Sequence, residues 1–425
     1  MIPHRPIRLA FTLTALAIVG GTVVAASEEY FDRLGQALSA SSLHGHVRAR
    51  LSGTVDLEAY HLPTPAPAFI DTTREDLFNP RLTLFLDTQL GERVYLFSQA
   101  RADQGFDPGQ SAARFRFDEY ALRITPWADR RGSFQLGKFA TIVGNWVPRH
   151  GSWENPFISA PVPYEHATGV WDTETPRSLN QFLLWNHVRP GLSVFNTANE
   201  KKFRLPLVWG PAYATGAAVS GALGRFRYSA ELKNAGIASR PASWTKAGKW
   251  WTYPAVAARL AYSPNPMWTF GVSAANATYL RPSAQPTLTA GRGRGDYRQR
   301  TFAADAGFAW HHWQLWAEVF QSRFEMPLLG DADTVSGYVE AKYKFTPQFF
   351  GAVRFNRQTF GTLLDGPRPP IHWGRNLWRI DVAPGYRLTP HVQLKLEYSL
   401  HHEASAAALA AERTQTLAAQ LTARF

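Results

Sequence analysis

Between residues 142 and 179 the sequence gathers Arg149, His150, Trp153, Glu154, Glu165, His166 and Asp172. His150 with Glu154, or His166 with Glu165 and Asp172, has the residue types of a general acid–base pair. No nucleophile stands at a readable spacing from either set. The chain contains no Gly-x-Ser-x-Gly, no phosphate loop ending in Gly-Lys-Ser/Thr and no His-Glu-x-x-His. Gly291-Arg292-Gly293-Arg294-Gly295-Asp296 lacks the lysine and reads as a flexible basic tip. His311-His312 and His401-His402 are adjacent pairs. In a strand their rings point to opposite faces, so neither pair chelates alone. Cysteine is absent, which excludes thiolate ligands and disulfides. No cofactor, no metal and no catalytic residue are expected.

The same segment is unusually rich in rings and prolines: Trp146, Pro148, Pro156, Phe157, Pro161, Pro163, Tyr164 and Trp171. A fully solvated loop gains nothing from them, so the segment is expected to pack into an interior. The alternatives are an external cap or a contact between subunits.

A second group is cationic: Arg123, Arg227, Lys342, Arg354, Arg379, Arg387 and Lys395, with fewer acidic companions such as Glu119, Glu231, Glu340, Asp381 and Glu397. Along a water-filled passage such an excess concentrates anions. The alternative is a set of cross-strand ion pairs with little net field, as Glu397 beside Lys395 suggests.

These residues sit on segments with a two-residue period. Val392, Leu394, Leu396, Tyr398 and Leu400 alternate with Gln393, Lys395, Glu397 and Ser399. Val335, Val339, Ala341, Tyr343 and Phe345 alternate with Ser336, Glu340, Lys342 and Lys344. Each segment is therefore a strand with one apolar and one polar face. Hairpins centre on Gly91-Glu92-Arg93, Thr125-Pro126, Arg189-Pro190-Gly191, Gly224, Ser263–Pro266, His311-His312, Thr346-Pro347-Gln348 and Thr389-Pro390-His391. With a strand near 45–60 and another at 413–425, the count is about eighteen. The fold class is all-β, an antiparallel up-and-down barrel over residues 43–425. Its short turns fall on one side and its long loops on the other. Trp127, Tyr262, Trp268, Trp310, Trp313, Phe345, Phe349 and Tyr386 lie beside the short turns, as an interfacial girdle requires. The apolar face is expected to point outward to lipid, the polar face inward to water.

Composition fits this. The chain has 425 residues, 45% hydrophobic and 18% charged, with net charge +12. Past residue 26 no stretch approaches the ~18 uninterrupted apolar residues of a membrane helix. Lys and Arg are spread along the chain, which argues against a nucleic-acid arm. Residues 1–26 read as a secretory signal, with His4, Arg5 and Arg8 before the apolar run Leu9–Val19 and small residues at Val24-Ala25-Ala26. Residues 27–42 read as a short helix or tether before the first strand, with Tyr30, Phe31, Leu34 and Leu38 at helical spacing.

The chain ends on Leu417, Ala419, Leu421, Ala423 and Phe425, alternating with small and polar residues. A final amphipathic strand closing on phenylalanine resembles the assembly signal of Gram-negative outer-membrane barrels. Strand count, loop asymmetry and this terminus together resemble the porins, nearest in layout to the eighteen-stranded substrate-specific channels and the alginate-export barrel. Leu136–Gly144 resembles the glycine-rich strand end of phosphate-selective porins, although Ile142 and Val143 stand where that family usually has proline. The resemblance implies an outer-membrane location and a passive channel for small hydrophilic solutes. It implies a third long loop, about 142–179, folded inward as a constriction. It also implies contact with outer-membrane lipid and lipopolysaccharide, delivery through the barrel assembly machinery by way of Phe425, and a homotrimer or monomer. A barrel sheath, an export channel for a polysaccharide and a barrel hydrolase are the alternatives.

Overall fold

The computed structural model describes residues 20–62, 75–104, 113–129, 131–187, 204–240, 251–365, 368–404 and 412–425. The alternating segments form sixteen long strands. In chain order they are β1 Val47–His61, β2 Asp76–Leu90, β3 Val94–Asp103, β4 Arg114–Ile124, β5 Ser133–Phe139 and β6 Ala214–Leu223. Then come β7 Phe226–Lys233, β8 Ala255–Tyr262, β9 Trp268–Thr278, β10 Arg298–Trp310, β11 Trp313–Met326 and β12 Gly330–Lys344. The last four are β13 Phe349–Phe360, β14 Leu377–Arg387, β15 Val392–Glu403 and β16 Glu412–Arg424. Each pairs antiparallel with its chain neighbours. β16 returns to β1, with Leu417 opposite His61 and Ala423 opposite Val55. The sheet is closed, so no strand presents an open edge.

The count is sixteen rather than about eighteen, and the difference lies at one place. The hairpin expected around Arg189-Pro190-Gly191 has no first strand, because Leu179–His187 is a helix. Its turn lies outside the described residues. Leu179, Phe182 and Trp185 are buried. A short apolar run of this kind carries both periods, and burial against the long-loop cluster selects the helix. The other expected hairpins are present. The separation of loop lengths has one exception: β11 and β12 are joined at the long-loop end by residues 327–329 alone.

Burial is inverted relative to a water-soluble sheet. On β12 and β13, Val339 is 60% exposed and Phe355 46%, whereas Glu340 and Arg354 are 0% exposed. On β15, Leu396 and Tyr398 face out while Gln393, Lys395 and Glu397 are buried. Trp127, Trp310, Trp313, Phe345, Phe349 and Tyr386 are exposed on the outer wall near the short turns. A closed wall with a greasy exterior and a polar interior satisfies every ladder hydrogen bond without water, which is what a bilayer demands of a spanning sheet.

Residues Gly20–Ala37 form a helix that crosses the expected boundary between signal and mature chain; residues 1–19 lie outside the described residues. The short strand Ser39–Ser42 then pairs with Val47–Arg50. Phe31 stacks on His391 with centroids 5.4 Å apart, and Asp32 Oδ1 lies 3.1 Å from His391 Nε2. This segment therefore rests at the short-turn end.

Candidate functional site

The described parts of the connection from β5 to β6, residues 140–187 and 204–213, turn into the barrel instead of capping it. Val143, Trp146, Val147 and Tyr164 pack against Ala257, Ala303, Phe320 and Tyr338, inward residues of the wall. Small side chains on the inner faces of β8 and β10 leave room for the loop's rings. Nearer the long-loop end, Val170, Leu179, Phe182 and Trp185 join Tyr279, Phe324, Phe360 and Trp373 in a second apolar cluster. The rings that a solvated loop could not justify are thus core residues of one half of the barrel.

Polar anchors fix the loop's path. Glu318 on β11 accepts hydrogen bonds from Trp146 N at 2.8 Å, from Tyr164 Oη at 2.6 Å and from Asn145 N. The chain reaches it through Gly144 at φ +78°. A Cβ there would stand 2.4 Å from Tyr164 Oη and 2.8 Å from Glu318 Oε1, so only glycine fits. Arg149 donates to Glu340 at 2.6 Å and to Tyr338 Oη at 2.9 Å, with its guanidinium 4.3 Å from the Trp316 ring centroid. Glu397 accepts from Ser159 N at 3.0 Å and from Ile158 N and Ser159 Oγ. Lys395 Nζ donates to the carbonyls of Ser152, Asn155 and Phe157 at 2.7, 2.9 and 3.1 Å. Arg379 donates to Glu165 Oε1 at 2.6 Å, and Arg354 to Ser159 Oγ and Asp381 at 2.8 Å each.

The loop fills the side of the barrel built by β7–β15. Against β1–β6, the short-turn end of β7 and β16 it leaves a cavity of about 1090 Å³. This cavity runs from Arg50, Arg123 and Arg424 at the short-turn end to Glu58, Asn79 and Asp103 toward the long loops. Its loop-side wall includes His150, Trp153, Glu154, Ser159 and Glu165. Charges on the strand wall are interleaved. Arg81 pairs with Asp56 at 3.0 Å and with Glu58, Arg116 pairs with Asp118 at 2.8 Å and with Asp103, and Arg101 lies 3.3 Å from Asp118. Arg123 is bonded to the neutral Gln135 side chain at 2.8 and 3.0 Å.

The acid–base sets do not assemble. His150 uses Nδ1 on Val147 O at 2.6 Å and Nε2 on Tyr213 Oη at 2.9 Å, so neither nitrogen turns to Glu154. Burial, helped by the nearby Arg101 charge, lowers His150 to about 4, so the ring is neutral at pH 7. Glu165 belongs to Arg379. Asp172 lies 3.1 Å from Arg240 and 2.9 Å from Arg281, and the His166 ring packs on Phe360.

The cationic set divides. Arg123 lines the cavity. Arg354, Arg379 and Lys395 point inward as expected, but the loop covers them, and each is 0% exposed. They anchor the loop instead of lining open space, because buried carbonyls and carboxylates need donors. Lys342 is buried with Nζ 4.2 Å from the Phe350 ring centroid, and Arg387 lies 5.5 Å from that of Trp153. Arg227 is exposed at the short-turn end of β7, beside Ser263. Sequence reasoning missed the wall itself: Asp56, Glu58, Arg81, Arg101 and Arg116. Their signal was present, since Asp56 and Glu58 alternate with Val55 and Leu57 on β1.

No protein-family model matches the sequence, and no curated protein matches it. Solved structures do match. OmpF of Salmonella typhi, solved in complex with daunomycin, has TM-score 0.55 and 12% identity, over 91% of this chain and all of its own. The anion-selective porin from Comamonas acidovorans has TM-score 0.53 and 10% identity, over 89% and 100%. OmpT of Vibrio cholerae, an outer membrane protein solved in a trimer form, has TM-score 0.51 and 8% identity, over 89% and 99%. At these identities the likeness is one of fold: a closed sixteen-stranded barrel like those of the outer-membrane porins.

Proposed function

We propose that the chain is a passive channel for small hydrophilic solutes, with a preference for anions. One observation carries it: the cavity beside the inward loop follows the inner wall from the short-turn end toward the long loops and is lined by charged and polar groups. Its volume suits solutes of metabolite size. In this reading the loop residues Arg149, His150, Trp153, Glu154, Glu165, His166 and Asp172 belong to the constriction, either on its surface or in its anchorage. The excess of basic residues supplies the anion preference, offset along the wall by Asp56, Glu58, Asp103 and Asp118. The barrel performs no catalysis, and the His150 nitrogens are already committed to structural bonds.

Under the same proposal residues 1–26 are an export signal, and the mature barrel sits in lipid and lipopolysaccharide. Phe425 serves the assembly machinery, and a homotrimer is the assembled form. Reconstitution of the full chain in a planar bilayer tests the channel. Steady open steps, with a reversal potential in a KCl gradient on the chloride side, are expected. Silence would remove the channel, and a reversal potential on the potassium side would remove the anion preference.

A further inference from the structure

Along the cavity wall Arg81, Arg101 and Arg116 meet carboxylates and Arg123 meets an amide. At the short-turn mouth the arrangement differs. Arg387 on β14 stands opposite Gln393 on β15, and Gln393 opposite Thr422 on β16, two residues before Arg424. Trp153 of the inward loop lies against both arginines. Its ring centroid lies 4.0 Å from Arg424 Cζ and 5.5 Å from Arg387 Cζ. The Lys395 bonds to the carbonyls of Ser152 and Asn155 hold the turn that carries it.

Each arginine spends its Nε on the protein, Arg424 on Pro390 O at 3.0 Å and Arg387 on Gln393 Oε1 at 3.4 Å. Neither guanidinium is ion-paired to a carboxylate among the described residues; Glu154, beside Trp153, acts on Arg424 only through its field. Gln393 is 0% exposed, and its amide nitrogen has no acceptor.

We propose that Arg387, Arg424 and Trp153, with Gln393 orienting Arg387, form an oxyanion subsite at the short-turn mouth, taking the phosphate or carboxylate group of a small solute. Two guanidinium forks supply charge-assisted donors in the geometry these groups accept. The Trp153 ring holds like charges near each other by cation–π attraction, so their cost of approach is met before the ligand arrives. Gln393 Oε1, accepting from Arg387 Nε, orients that fork from the wall. The subsite rests on the channel reading for its part in transport, where it places anion selection at one mouth rather than midway, but not for binding itself.

Calorimetric titration of the full chain in detergent with inorganic phosphate, and separately with acetate, tests it. Saturable binding is expected. R387Q is expected to weaken it about tenfold, and R424Q equally. R227Q removes a charge from the same rim outside the cluster and is expected to change affinity less than about twofold. Because Arg424 adjoins the terminal Phe425, R387Q and Q393L carry the test if R424Q fails to assemble. Tighter phosphate binding assigns a phosphate ester as solute, and tighter acetate binding a carboxylate. No saturable binding of either anion, or equal weakening by R227Q and R387Q, overturns the subsite. Steady bilayer conductance without binding leaves the channel standing alone. Binding without conductance keeps the subsite and removes the channel.

Discussion

Phe425 pairs its backbone with Gly53 in both directions, N to O at 3.0 and 3.1 Å, and its ring occupies the space a side chain at position 53 would need. A Cβ on Gly53 would lie 2.7 Å from the ring's Cζ. The terminal ring is therefore seated on the first strand, at the seam where the sheet closes. Gly53→Val forces the ring out or the seam apart, at about 1–3 kcal/mol of overpacking. Urea unfolding in detergent micelles should show this loss. Gly53→Val combined with Phe425→Ala should cost less than the sum of the two single changes, because the clash with the ring is gone while that with Thr83 O, 2.7 Å from the same Cβ, remains; full additivity would refute the seat.

Glu318 is the acceptor on which the loop turns. Glu318→Ala leaves the Asn145 and Trp146 amides and the Tyr164 hydroxyl without their acceptor. A loss of about 1–3 kcal/mol for each donor left unsatisfied is expected. Noisier open-channel current should accompany it as the loop loosens. Unchanged unfolding and quiet current would mean that the apolar cluster alone holds the loop.

Lys395 makes a comparable prediction through different chemistry. Lys395→Met keeps most of the stem's volume but strands three carbonyls that converge on one ammonium. Destabilisation of about 1.5–3 kcal/mol is expected in the same unfolding assay. Arg227→Met, on the exposed rim, should stay within about 0.5 kcal/mol.

The paired wall predicts a directional change in selectivity. Arg81→Gln removes the cation that neutralises Asp56 and Glu58, so the two carboxylates face the passage alone. The reversal potential in a KCl gradient should move toward potassium, more at low than at high ionic strength. A move toward chloride would contradict the assigned lining.

Much of the barrel was legible because its signal is local. A strand with two faces writes a two-residue period, and Pro-Gly-rich turns punctuate it, so Val335–Phe345 and Val392–Leu400 could be placed by inspection. Alternation does not say which face is outside. The aromatics beside the short turns and the terminal strand supplied that. The count failed at Leu179–His187, where nine residues carry apolar side chains compatible with either period and only burial among Phe324, Phe360 and Trp373 decides. The loop's inward course was legible from its rings. Its anchors were not, since Lys395 meets Phe157 across 238 residues of chain. For the same reason Arg354, Arg379 and Lys395 read as pore-lining when they are covered. No pattern within one strand reports what lies over it.

The central claim is that the apolar face meets lipid while the polar face bounds a wet interior. The chain has no cysteine, so single cysteines report without background. In proteoliposomes, Val339→Cys on the outer wall should resist a charged, water-soluble maleimide and be reached by a quencher dissolved in the acyl chains. Arg50→Cys, at an exposed position on the cavity wall, should react with the maleimide and escape the quencher. Labelling in the opposite sense would contradict the account.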